Sequence, residues 1–445
     1  MALFIFDGGG KMEADILIRE CTVLTMVHGE IIGKGVIAVK NGLITYVGEE
    51  RCAPPLKAEE VIEAQGKVAM PGLVNCHTHA PMSIMRGVAE DQELETWLRE
   101  SIWPLEAKLT AEDIHNGALL SCLEMIKNGV TCFSDMYFRE DVVAAAVEKS
   151  GLRAVLAPGI IEGGDPERGE RMLEEAVKVV KKYHGHADGR IQTQIGPHAA
   201  YTCSPSLLKK VGETASSLNV GVHIHLAESR ETVRLVRRMY GEGEVAVLRK
   251  TGLLGPNLLA AHGVHLTRRE MLTLARYGVK VSYNPVSNMK LASGIPRVKE
   301  MLEFGITVGV GTDGPASNNS LDVLETVKAA SLLQKIRYMD PKVLPVREAL
   351  EMATIGGARA LGLSRMIGTL EPGKRADIIL IDFRRPHLTP MLDVYANIVY
   401  SARGSDVNTV IVDGKILMRD RIVKTLDEEE VMRRAQKTAE NLLSR

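Results

Sequence analysis

At 445 residues the chain exceeds an ordinary single domain and has room for a large barrel plus a smaller module. Its 55 lysines and arginines nearly cancel 56 aspartates and glutamates, and the formal net charge of -1 excludes a long-range field toward nucleic acid or anionic lipid. A small molecule is the expected partner, with no nucleic acid and no membrane.

The opening "MALFIF" is too short for a secretory signal or an anchor, and no apolar run elsewhere reaches roughly 18 residues. Met12 begins the more strand-like "MEADILIREC", so residues 1–11, with their triple glycine, are expected to be a loose tail or to reflect an upstream start. From 12 to 70, β-rich runs ("DILIREC", "TVLTMV", "VIAVKNGLITYVG", "VIEAQGKVAM") are broken by turns, and Asn41-Gly42 is a hairpin signal. The texture returns over 366–445, in "ADIILIDF" and "VNTVIVDGKILMRDR", before a charged helix from about 427. The two ends are expected to build one β-sandwich between them. Cys21, Cys52, Cys76, Cys122, Cys132 and Cys203 are scattered without a CxxC pair, which points to free thiols in a reducing cytoplasm.

Between these ends, over 71–365, apolar β-branched runs alternate with helical stretches. The eight runs are "VAMPGLVNCH", "GVTCFSDMY", "LRAVLAPGI", "RIQTQIGPH", "VGVHIHLAE", "LLAAHGVHL", "VKVSYNPVS" and "ITVGVGTDG". Eight β/α units predict an α/β fold of the (β/α)8 TIM-like barrel kind, with a doubly wound open sheet as the structural alternative.

Polar residues gather where these strands end: His77 and His79 on the first, His198 on the fourth, His225 and Glu228 on the fifth, His262 on the sixth, Asp313 on the eighth. Barrel active sites occupy that rim. Side chains at i and i+2 of a strand share a side, so His77 and His79 can present two imidazoles to one cation. On the fifth strand His223 and His225 share a face; His225 is nearer the rim and is taken as the ligand, His223 as an interior group. Glu228 follows where a carboxylate can approach the centre without binding the cation. Imidazoles with one carboxylate suit zinc or ferrous iron. His28, His115, His184, His186 and His387 fall on helices and surface loops and are read as having no such role.

Together "NCHTH", "HIHLAE", "AAHGVHL" and "GTDGPASNN" resemble the amidohydrolase superfamily, and "EPGKRADIILID" and "VDGKILMRD" resemble its composite sandwich module. Within it, "HAPMSIMRGVAED", "WPLEAKLT", "DMYF", "GPHAAYTCS", "NPVSNMKLASGI" and "TDGPASNNSLD" resemble the 5-methylthioadenosine/S-adenosylhomocysteine deaminases, including the archaeal type that prefers 5'-deoxyadenosine. The resemblance implies that His77, His79, His225 and Asp313 bind one divalent metal, zinc before ferrous iron. It implies catalytic roles for Glu228, His262 and Asp313, and substrate contacts from Glu106, His198, Glu228 and Asp313, the first two through ribose hydroxyls. Neither "APGI" nor "IGPH" offers the bridging lysine of dinuclear members, so one metal is expected. The implied reaction is hydrolytic attack at C6 of adenine, with Glu228 carrying a proton to N1 and ammonia leaving.

Trp97, Trp103, Met82 and Met85 are candidates to cover a thioether or a bare 5'-methyl, with plain helix packing as the alternative. Bacterial members carry an arginine at the end of the third strand for the homocysteine carboxylate; here Pro158 stands there, with Arg168 or Arg171 as substitutes or as solvated helix charges. The competing readings are an amide or ring-opening hydrolase, a guanine or cytosine deaminase acting on a free base, and a non-catalytic nucleoside-binding protein. Homo-oligomerisation is expected from the family.

Overall fold

The computed structural model describes residues 12–445, and the expected tail at 1–11 lies outside them. The N-terminal strands are β1 (Met12–Leu24), β2 (Ile31–Lys40), β3 (Leu43–Glu49), β4 (Leu56–Glu63) and β5 (Lys67–Pro71). Eight parallel strands follow: β6 (Leu73–Thr78), β7 (Val130–Tyr137), β8 (Arg153–Ile160), β9 (Ile191–Pro197), β10 (Gly221–Leu226), β11 (Leu258–His262), β12 (Lys280–Tyr283) and β13 (Val308–Val310). The chain ends with β14 (Ile378–Asp382), β15 (Val407–Val412), β16 (Lys415–Arg419), β17 (Ile422–Val423) and a helix over Glu428–Ser444.

Strands β6 to β13 neighbour one another in sequence order. At the rim the ends of this series meet: Asp313 N donates to His77 O at 2.9 Å, and Thr312 N to Asn75 Oδ1 at 3.0 Å. This is the expected eight-stranded barrel, nearly closed. All eight residues of β7 and all six of β6 are buried, which accounts for runs without polar alternation. Side-chain caps start the crossover helices, such as Thr110 with Asp113 before Ala111–Lys127 and Ser229 with Thr232 before Arg230–Tyr240.

The strands from both chain ends form one sheet, in the order β17-β16-β15-β14-β5-β1-β2-β3 with β4 also on β1. It encloses its own core, in which Ile16, Ile18 and Val39 cluster with Ile378, Leu380 and Ile411. The sequence run "VAMPGLVNCH", taken above as one barrel strand, is two. Strand β5 belongs to the outer sheet, antiparallel to β14, and β6 begins the barrel. Gly72 makes the step between them possible, because a Cβ there would lie 2.0 Å from Thr131 Oγ1.

Under the barrel, Arg153 at the start of β8 ties the two modules together. Its guanidinium holds Asp377 through two bonds of 2.9 and 3.0 Å and reaches Asp413 at 3.4 Å, with Arg153 and Asp377 almost wholly buried. The six cysteines are all unpaired. No helix among the described residues is long and apolar enough to cross a membrane.

Candidate metal centre and active site

The strand-end residues converge at the C-terminal mouth of the barrel. Asp313 Oδ1 stands 3.3 Å from both His77 Nε2 and His79 Nε2, and His225 Nε2 stands 3.4 Å from His79 Nε2. Ligands about 2.0–2.1 Å from one tetrahedral cation are about 3.3–3.4 Å apart from each other, so these spacings suit a shared ion. His77 Nε2 is buried and makes no hydrogen bond among the described residues. It belongs to both convergent donor groups, one with His79 and His225, the other with His262 and Asp313.

Each ring is anchored through its other nitrogen. His79 Nδ1 faces Met136 O at 2.6 Å, His225 Nδ1 faces His198 O at 2.9 Å, and His77 Nδ1 meets His223 Nε2 at 2.9 Å. This leaves the Nε2 atoms free to point at the centre, the outer support that metal-binding imidazoles require. Asp313 is held as well: its Oδ2 accepts from Ser287 Oγ at 2.6 Å and its Oδ1 from Gly314 N at 2.8 Å.

Burial penalises charge here, and the neighbours decide the outcome. Burial lowers the His77 imidazole to about 4. It opposes protonation of His79 too, but the adjoining Asp313 carboxylate prevails and raises that ring to about 9. Burial acts against the Asp313 carboxylate, yet His77 and His79 hold it well below the usual range.

Two of the residues sit in the left-handed backbone region, His262 at φ 74° and Asp313 at φ 65°. Such non-glycine conformations cost of order 1–3 kcal/mol each and cluster at functional sites. His262 Nδ1 donates to Asn288 Oδ1 at 2.9 Å, and its Nε2 stands 3.8 Å from Glu228 Oε1. Burial raises the Glu228 carboxyl above its ordinary value. Glu228 follows Ala227, whose N–H donates at 2.9 Å to the buried carboxylate of Glu244.

A cavity opens from this centre. His79, His225, His262, Glu228 and Asp313 line its floor, and His198 and Glu106 line its side. His198 Nδ1 lies 3.0 Å from Thr202 Oγ1, which itself donates to Ala199 O, so the imidazole offers Nε2 as an acceptor. Burial raises the Glu106 carboxyl to about 7, opposed by Tyr137 beside it. Leu94, Trp97, Leu98, Trp103, Phe138 and Ile161 give the outer part an apolar wall.

The residues expected from sequence to bind metal, act in catalysis or contact the adenosine core therefore lie at this mouth, except His77, whose buried ring sits beneath it. Met82, Trp97 and Trp103 line the cavity, whereas Met85 is packed in the core and does not. Arg168 and Arg171 are also absent from the lining, and Arg171 pairs with Asp165 and Glu167 on the surface. Sequence reasoning missed Asn288, Ser287 and Glu244, which hold His262, Asp313 and the loop bearing Glu228. It left His223 without a role. Only "HIH" carried a signal for any of these.

A model of the amidohydrolase family matches residues 68–417. The chain is 52% identical over 417 residues to a 5-methylthioadenosine/S-adenosylhomocysteine deaminase of Moorella thermoacetica, covering 94% of this chain and 97% of the relative. It is 49% identical over 433 residues to a 5'-deoxyadenosine deaminase of Methanosarcina mazei, covering 97% and 99% of the two chains. Among solved structures, an adenosine deaminase from Xanthomonas campestris with bound zinc superposes with a TM-score of 0.94 at 31% identity, over 98% of this chain and all of that one. With the matched model and these relatives spanning nearly its whole length, the chain belongs to the amidohydrolase family.

Proposed function

We propose that the protein hydrolytically deaminates the adenine ring of 5'-substituted adenosines (5'-methylthioadenosine, S-adenosylhomocysteine, 5'-deoxyadenosine or adenosine), releasing ammonia and the inosine analogue. The carrying observation is the convergence of His77, His79, His225 and Asp313 at spacings suited to one ion, with Glu228 and His262 beside them at the floor of a cavity with an apolar outer wall. The names of the relatives at about half identity support the same substrate class.

In this reading His77, His79, His225 and Asp313 hold one divalent cation, zinc ahead of ferrous iron. When bound, the cation supplies the Lewis acidity that makes water nucleophilic near neutral pH. Glu228 takes a proton from the attacking water and delivers it to N1, so that adenine C6 accepts the oxygen as its bond to N1 loses double-bond character. His262, turned by Asn288 so that its Nε2 lone pair faces the centre, accepts a hydrogen bond from the attacking water and aims it at C6. The proton left on the new hydroxyl passes through Asp313 to the exocyclic amine. The C6–N bond then breaks, ammonia leaves, and the ring keeps C6=O and N1–H.

Glu106 and His198 bind ribose hydroxyls, and their presence in the cavity favours a nucleoside over a free base. No lysine lines the cavity among the described residues, which favours this reading over a dinuclear amide hydrolase. Residues 71–365 carry the chemistry and 12–70 with 366–445 support it. The free cysteines fit a cytoplasmic enzyme, and a homo-oligomer belongs to the same proposal. The test is to incubate metal-loaded protein with a panel of 5'-substituted adenosines, guanine and cytosine and to follow ammonia release, with the adenine-to-hypoxanthine absorbance change as a second readout for the adenosines. Conversion of a free base alone, or of nothing, would reject the assignment.

A further inference from the structure

We infer that His223 is a positioning residue that accepts the His77 Nδ1–H and so supports the tautomer whose Nε2 is free for a cation, within a hydrogen-bond chain ending at Ser134. The inference rests on the cation-binding reading given above, but concerns a side chain that touches neither cation nor substrate.

The three imidazoles at the centre are not anchored alike. His79 and His225 each direct Nδ1 at a main-chain carbonyl, of Met136 and His198 respectively. A carbonyl can only accept, so the backbone alone obliges those rings to carry hydrogen on Nδ1 and, when neutral, to keep a lone pair on Nε2. His77 has no carbonyl partner. Its Nδ1 meets the Nε2 of another imidazole, His223, at 2.9 Å, and an imidazole can either accept or donate.

The chain can run in either direction, because the Ser134 hydroxyl at its far end can donate or accept, and only one direction leaves His77 able to bind a cation. For His77 to offer Nε2 to a cation, its Nδ1–H must donate and His223 Nε2 must accept. A neutral His223 then carries its hydrogen on Nδ1, which faces Ser134 Oγ at 3.3 Å. The chain His77 Nδ1–H to His223 Nε2, His223 Nδ1–H to Ser134 Oγ closes with every nitrogen used once. His77, His223 and Ser134 are all at 0% exposure, so no water replaces a missing partner. The reverse arrangement puts hydrogen on His77 Nε2, aimed at Asp313 Oδ1 3.3 Å away, and blocks the donor shared by both convergent groups. His223 lies on β10 two residues before His225 and on the same strand face, one layer deeper in the barrel, so one strand supplies both a donor and the support of another donor.

The test compares wild type, His223→Leu, His223→Gln and Ser134→Ala by zinc affinity, using chelator competition, and by the absorption spectrum of the cobalt-substituted proteins. Thermal unfolding in chelator reports packing separately. His223→Leu removes the acceptor and should weaken zinc binding by about 10- to 100-fold, the scale for outer partners of metal-binding histidines. His223→Gln keeps an acceptor near the Nε2 position and should stay within about threefold with an unchanged cobalt spectrum, while Ser134→Ala, a mild change should the leucine variant fail to fold, should lose about three- to tenfold. A wild type that binds zinc tightly, together with Leu and Ala variants of equal affinity, overturns the role of His223 alone. So does a glutamine variant as weak as the leucine one, which would make the residue mere packing. A wild type that takes up no cation overturns the centre and this role together.

Discussion

Replacing Glu228 with glutamine isolates proton transfer from everything else at the centre. The amide matches the carboxyl in volume, so the cavity and the four cation-facing donors keep their places. The side chain is 11% exposed and stands 3.8 Å from His262 Nε2, outside the donor cluster, so the cation site should fill as before. What disappears is the one group able to accept a proton from water and return it to N1. A positioned acid-base group contributes about 10²- to 10⁴-fold, which at 1.36 kcal/mol per decade is about 2.7–5.4 kcal/mol of barrier. The variant should therefore lose that factor in kcat while KM stays within about threefold, since the amide still fills the same space. The assay is steady-state turnover of 5'-deoxyadenosine or 5'-methylthioadenosine by absorbance, with metal content measured on the same sample. Near-normal kcat at full metal occupancy, or a raised KM with kcat intact, would refute the role.

Asp313→Asn should lose metal occupancy as well as turnover, because Oδ1 faces two imidazoles at 3.3 Å, and elemental analysis after dialysis checks it. Chelation should lower Tm and zinc should restore it, since an ion that binds only the folded state stabilises it by mass action. Arg153→Met strands Asp377 beneath the barrel, while Asp413 keeps Arg375 at 3.2 Å, and should cost about 3–5 kcal/mol in denaturant unfolding; a loss below about 1 kcal/mol would mean that the pair is not dry. Burial raises the Glu244 carboxyl from 4.5 to about 7. Between those pH values the folded state holds more protons than the unfolded one, so this group removes stability as pH rises through the window. Glu244→Gln should flatten that fall in the metal-free protein, and an unchanged slope would count against it.

Much of the site could be read from the chain because barrel strands carry their chemistry at one end. A histidine or carboxylate closing an apolar run, as in "HIHLAE" or "GVGTDG", is placed by the fold with little help from its neighbours. Partners brought from other elements left no such trace. Asn288 reaches His262 from a short helix after β12, and Glu244 reaches Ala227 from the helix after the next turn, through contacts that no local pattern encodes. Period-two alternation put His223 beside His225 but could not say that it lies a layer deeper, against His77. The break within "VAMPGLVNCH" was hidden because both halves are buried strands; only the proximity of Thr131 to Gly72 separates them. Met85 failed as a cavity residue because a short helical turn, not the strand's alternation, sets which methionine faces the mouth.

The pairing of β5 with β14 joins residues 67–71 to 378–382. During synthesis, the inner edge of the first five strands waits for more than two-thirds of the chain to leave the ribosome before it can be covered. An uncovered strand edge invites pairing with other chains. Contacts of such sequence separation also slow the search for the native state. The late C-terminal strands thus act as the latch on a product that is vulnerable until its final stretch is made, so truncation near the end should yield aggregates rather than a weaker enzyme.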